Sequence, residues 1–369
     1  MSRKISGGRL LVKAVVLFAA LNLAFAALDL TPVIGRLTLY NWLLPGRDRL
    51  PYGDDPARSY NLNLYSLEAM FASHKLAGTP KAADEYRVLV IGDSSVWGFL
   101  LENEDTLSGA LNAAGLYAAD GRRAVFYNLG HPTISLTKDL MILDYAMQYE
   151  PDLILWPVTL EAFPWSKQLS SPLVQNNPDR VSQLFTKYQL PLTSPPSHSF
   201  FDRTILGQRR NLADILRLQL YGVMWAATGI DVFFPDEIEL RAMDLEASED
   251  FAGLQQPLRA EDLAFDVLAA GVQLAGEVPV LIVNEPIFIS DGANSEIRYN
   301  SFYPRWAYDG YRVLLQEQAA RQGWAYVDLW KAAADAEFTN TPIHLTPLGT
   351  LQFADALIEA LSDQFDLRP

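Results

Sequence analysis

Residues 87–95 read Arg-Val-Leu-Val-Ile-Gly-Asp-Ser-Ser. Four aliphatic residues in succession, Val88 to Ile91, do not alternate with polar ones. A strand of that kind is buried on both faces, as in a parallel sheet covered on each side by helices. Gly92 permits a tight turn at the strand's end. Ser94 then opens the next segment with its own N–H directed outward, which suits an anion or a developing oxyanion. A serine in this place also serves simply as a helix N-cap.

Four more runs of the same kind follow: Ala124–Asn128, Asp152–Trp156, Pro279–Val283 and Ala325–Leu329. Helical periodicity separates them. One helix begins near Thr106 and carries Leu107 and Leu111. Others run from Leu263 through Val267 to Leu274, from Trp306 to Ala320, and onward from Gly349. This alternation predicts an α/β fold: a doubly wound, flavodoxin-like parallel sheet of five strands. Ligands of such sheets bind beyond the carboxyl ends of the strands, where Ser94 is delivered.

Two regions break the rhythm. Residues 36–85 read as a polar, aromatic-dotted lead-in with turns at Pro45-Gly46 and Pro51-Tyr52-Gly53. Residues 164–258 read as an insertion. It is Pro- and Ser-rich at Ser194-Pro195-Pro196-Ser197, helical around Thr204–Ala227, and acidic at Asp236–Glu239 and Asp244–Asp250. It either caps the ligand-binding end of the sheet or packs as a surface elaboration. The α/β unit proper spans 86–365.

The N-terminal segment, 1–35, carries Arg3, Lys4, Arg9 and Lys13 before an apolar run from Ala14 to Leu28. Length and basic flank predict a transmembrane helix with the N-terminus inside and the main domain extracytoplasmic. The competing reading is a signal peptide cleaved after Ala24-Phe25-Ala26.

The net charge of −15 opposes contact with phosphate backbones, so no nucleic-acid partner is expected. Cysteine is absent, which excludes disulfides and thiol catalysis. Neither a phosphate-binding G-x-x-x-x-G-K-[ST] loop nor a G-x-G-x-x-G fingerprint occurs, and no cofactor or metal is expected.

A serine hydroxyl needs a base, and histidine is the natural one near neutral pH. The chain has His74, His131, His198 and His344. His344 falls in the loop after the last strand, at the same sheet end as Ser94. His131 follows the second strand and reads as a pocket-lining residue. His74 and His198 read as structural or exposed.

Four segments occur in order: Val90-Ile91-Gly92-Asp93-Ser94-Ser95, Asn128-Leu129-Gly130, Pro151-Asp152-Leu153-Ile154-Leu155, and Ile343-His344-Leu345-Thr346-Pro347-Leu348-Gly349. Together they resemble the SGNH (GDSL-like) hydrolase family over roughly residues 85–365. The resemblance implies a Ser94 nucleophile and a His344 base. In its membrane-tethered branch it implies an esterase or O-acyltransferase working on acyl groups of cell-envelope polysaccharide. A small ester or acylated glycan would be the substrate, and a multispan membrane acyltransferase a possible partner.

The match departs at three places. The family's Asp three residues before the His is Thr341, and Asn340 precedes it; an amide there can hold the imidazole, as in Cys-His-Asn proteases. Asp328, Asp335 and Glu337 are the alternative acids for that place in the loop region. Beside Gly130, the second-block glycine falls at Thr133, which retains its backbone N–H. The third-block Asn falls near Thr159 or Glu161; Thr159 can donate, whereas an ionised Glu161 would oppose an oxyanion. Arg305, in the aromatic segment Tyr299–Trp306, is a candidate substrate contact. These departures leave an alternative: a catalytically impaired relative that binds glycan or scaffolds an envelope complex.

Overall fold

In a computed structural model, the described residues are 7–43, 46–53, 64–228 and 237–369. Arg3, Lys4, Pro45 and Asp236 lie outside them. Five parallel strands form one sheet: β1 (Glu85–Gly92), β2 (Arg123–Gly130), β3 (Leu153–Val158), β4 (Val280–Asn284) and β5 (Ala325–Asp328). Their order is β2-β1-β3-β4-β5. It is the flavodoxin-like winding, with the chain reversing direction between β1 and β3.

The apolar runs form strands because each residue has a core to enter on its own side. Val88 and Val90 join one core with Leu111, Phe126, Leu155 and Leu357. Leu89 and Ile91 join the other with Leu129, Ile154, Trp156 and Ile282. A side chain period of two thus divides one continuous apolar run between two helical layers. The Leu107–Ala114 and Pro347–Phe365 helices cover the first face. The helices Leu67–Ser73, Leu136–Ala146, Phe265–Ala275 and Arg305–Gln322 cover the second.

Two parts differ from the sequence-based reading. The Leu136–Ala146 helix was not anticipated, because Lys138 and Asp139 interrupt its apolar pattern; both are buried. The lead-in segment is not merely polar: Leu67, Met70 and Phe71 share one helical face and are fully buried in the second core.

The insertion divides by role. Its Pro178–Tyr188 helix packs against Leu136–Ala146, with Arg180 paired to Asp144 and Glu68. Two of its described residues reach loops at the carboxyl end of the sheet. Ser171 Oγ lies 2.8 Å from Thr133 Oγ1. Arg241 donates to the carbonyls of Phe338 (2.8 Å) and Asp335 (2.6 Å), and its N–H to that of Thr339 (2.9 Å). Through these contacts the insertion braces two loops at that end.

One described helix, Gly7–Leu28, is long and apolar enough to cross a membrane. Most of it is exposed, but Asn22, Phe25 and Ala26 are buried against the domain.

Candidate active site

The site is assembled where β1 and β2 end. Gly92 pairs with Gly130 at the last rung of their ladder. Beyond it, Asp93 N-caps the short Ser94–Trp97 helix through Ser95 N–H (2.8 Å). This helix lies so close to β2 that a Cβ on Gly130 would sit 2.4 Å from Trp97 N. Only glycine fits there. Asn128 fastens the same contact, donating to Val96 O (2.8 Å) and accepting from Gly130 N–H (3.0 Å).

Ser94 Oγ lies 2.7 Å from His344 Nε2, and His344 Nδ1 lies 2.9 Å from Asn340 Oδ1. If Nδ1 carries the proton and donates to the amide oxygen, Nε2 is left as an acceptor for the serine hydroxyl. The imidazole is buried and stacks on Phe99, with ring centroids 4.8 Å apart. Burial pushes its pKa down to about 4, so at neutral pH the ring is neutral and Nε2 keeps its lone pair free to accept.

Thr341, at the position where the resembled family has Asp, does not orient the ring. Its hydroxyl accepts from His344 N–H (3.2 Å) and Ile343 N–H (3.4 Å), and so shapes the loop. The other acids are engaged elsewhere. Asp328 bonds Asn284 and Arg312, Asp335 accepts from Ile289 N–H, and Glu337 accepts from the Thr346 hydroxyl.

Thr133 has φ +83°, a conformation that a β-branched residue adopts only at a cost of about 1–3 kcal/mol. That conformation explains why a glycine would suit this place. The backbone N–H groups of Thr133 and Ser94 have no acceptor among the described residues. Thr159 is buried at the end of β3, and its hydroxyl lies 2.8 Å from that of Tyr303. Glu161 is paired with Lys167 (2.5 Å). Arg305 donates to Ser295 O and lies over the Tyr299 ring. None of the described contacts joins Glu161 or Arg305 to Ser94 or His344.

His131 is buried, with Nδ1 2.9 Å from Pro132 O and its ring edge-on to Tyr52; burial lowers its pKa to about 3. His74 is also buried, bridging Asp48 O and Asn128 O. His198 is partly exposed, 3.6 Å from Asp179.

Beneath the serine loop lies a group of buried charges, of which Lys138 and Asp139 gave no sequence expectation. Lys138 Nζ donates to Gly92 O (2.8 Å) and His131 O (2.6 Å), and pairs with Asp139 (2.8 Å). It thus ties the ends of β1 and β2 together from below. Glu285, just past β4, accepts from the Ser95 hydroxyl. Burial, then repulsion from Asp93, raises its pKa well above the usual carboxyl range. Burial likewise raises Asp93 and Asp139. The Asn284-Glu285-Pro286 segment, at the binding end of β4, carried a signal for Glu285. For Lys138, the signal was a charged pair inside an otherwise apolar helix. Among the described residues no group of His, Asp or Glu side chains is arranged to hold a metal ion.

No protein-family model matches the chain, and no curated protein does. Solved structures resemble it faintly. A carbohydrate acetylesterase from Sinorhizobium meliloti is 12% identical, with a TM-score of 0.35 over 76% of this chain and 99% of its own. An aryl esterase from M. smegmatis is 13% identical, with a TM-score of 0.35 over 75% and 98%. A lipase/acylhydrolase from Enterococcus faecalis is 14% identical, with a TM-score of 0.37 over 77% and 97%. Scores this low carry no weight for function.

Proposed function

We propose that this chain is an SGNH-like serine esterase or O-acyltransferase that works outside the cytoplasm on acyl groups of cell-envelope polysaccharide. The observation that carries the catalytic reading is the chain of contacts Ser94 Oγ–His344 Nε2 (2.7 Å) and His344 Nδ1–Asn340 Oδ1 (2.9 Å). His344 takes the hydroxyl proton as Ser94 Oγ attacks the acyl carbonyl carbon. The oxyanion is met by the N–H groups of Ser94 and Thr133. The tetrahedral intermediate collapses to an acyl-serine, and the alcohol leaves with the proton from His344. Water or a sugar hydroxyl then attacks the acyl-serine, giving its proton to His344, and Ser94 is regenerated.

The extracytoplasmic placement is supported by the Gly7–Leu28 helix and its basic flank. Retention of that helix as an anchor is supported by Asn22, whose Oδ1 accepts from Leu206 N–H (3.1 Å). Cleavage after Ala26 would remove this contact. The polysaccharide substrate and a multispan membrane acyltransferase as donor partner follow from the sequence resemblance.

A second reading, a non-catalytic glycan-binding or scaffold protein, is favoured by one observation. The donor Asn of the resembled family falls near Thr159 or Glu161, and the Thr159 hydroxyl is already bonded to Tyr303. A fluorophosphonate probe separates the two. Wild-type protein labels, and Ser94→Ala does not, if the serine is a nucleophile. Absence of label on the wild type, or equal label on both, removes the enzymatic reading.

A further inference from the structure

The Arg209–Thr228 helix is apolar on two opposite sides. Ile215, Leu218 and Trp225 are buried against the domain. On the far side Leu216 is 58% exposed and Leu220 67%, with Tyr221 and Met224 continuing the stripe. A surface helix ordinarily turns polar residues outward, so an apolar outer stripe calls for a second apolar neighbour. The charged residues it carries are mostly cationic: Arg209, Arg210 and Arg217 against Asp214 alone, in a chain whose net charge is −15.

What covers this stripe is indicated by what it is attached to. Gln219, on the same helix, donates to Leu37 O (2.5 Å) and accepts from Leu39 N–H (2.9 Å). Leu206, just before the helix, donates its N–H to Asn22 near the end of the Gly7–Leu28 helix. Leu37 and Leu39 are themselves exposed. The apolar stripe is thus fastened to the exit of the one described helix able to span a bilayer.

We infer that the outer face of the Arg209–Thr228 helix, together with Leu37 and Leu39, lies in the headgroup–acyl boundary of the membrane that the N-terminal helix crosses. The inference rests on the anchor reading given above. Leucines, a tyrosine and a methionine on one side with arginines beside them are the chemistry of a helix lying in that boundary. Arginine stems reach apolar surface while their heads meet anionic phosphates. A domain held at two places does not swing on a single tether, so the Ser94 site is kept at a fixed height from the membrane.

The absence of native cysteine allows a direct test. Single variants of the full chain, Leu216→Cys and Leu220→Cys, would be nitroxide-labelled in phosphatidylcholine–phosphatidylglycerol vesicles. Leu17→Cys reports on the anchor, and Glu317→Cys, on an exposed face of another helix, reports on water. Collision of the labels with oxygen and with a water-soluble nickel complex gives depth. The expected result is oxygen-dominated relaxation at 216 and 220, inverted relative to 317. Nickel accessibility at 216 and 220 equal to that at 317, with 17 in lipid, overturns the inference and leaves the anchor standing. Exclusion of both reagents also overturns it, because the stripe is then covered by a second copy. If 17 is aqueous or the protein does not float with the vesicles, the anchor reading fails and takes the inference with it.

Discussion

The imidazole of His344 meets an amide rather than a carboxylate at Nδ1. An amide fixes the tautomer but adds no charge, so nothing offsets the burial that lowers the pKa to about 4. Only neutral His344 accepts the serine proton. The acid limb of kcat/KM should therefore fall near pH 4, with a flat profile through the region near 6.5 where an ordinary histidine titrates. Asn340→Asp places a carboxylate beside the ring and favours imidazolium. The acid limb should then move upward, as read from a pH–rate profile; an unmoved limb would show that residue 340 does not contact the ring in solution. Asn340→Ala should lower kcat by about 10²-fold or more, through loss of ring orientation.

At the scale of elements, the ends of β1 and β2 are held from below by a side chain of the Leu136–Ala146 helix. Lys138→Met leaves Asp139 buried without its partner and two carbonyls without a donor. It should cost about 3–5 kcal/mol in denaturant unfolding. Glu285 behaves differently, because burial raises its pKa and so favours the protonated carboxyl. A carboxyl whose folded pKa is raised stabilises fully below its unfolded pKa, ordinarily about 4.3, and loses that stability as pH rises toward the folded value. Glu285→Gln is neutral throughout. Relative to wild type, it should therefore gain stability as pH is raised above the ordinary glutamic-acid range. Parallel pH–stability curves for the two proteins would refute a neutral Glu285.

For the whole molecule, the N-terminal helix is packed into the domain through Asn22, Phe25 and Ala26. The protein recovered from membranes should keep the mass of the uncut chain, 41.2 kDa, apart from initiator processing. Intact-mass measurement showing loss of the first 26 residues would establish a cleaved leader instead. The insertion, too, has meaning only at this scale: Arg241 and Ser171 contact loops that carry His344 and Thr133 respectively.

The five strands and the positions of Ser94 and His344 at one end of the sheet were legible in the sequence. Uninterrupted apolar runs are local signals, and parallel winding delivers every strand's carboxyl end to the same edge. Tertiary structure alone distinguished Asn340 from Asp328, Asp335 and Glu337, because loop conformation, not spacing, decides which side chain meets an imidazole. It alone turned Thr341 into a backbone cap. The Leu136–Ala146 helix was hidden for a related reason. A buried lysine looks like an interruption until its acceptors, Gly92 O and His131 O, are supplied by the ends of two other strands. Its cost is local to the sequence, whereas its compensation comes from residues far along the chain.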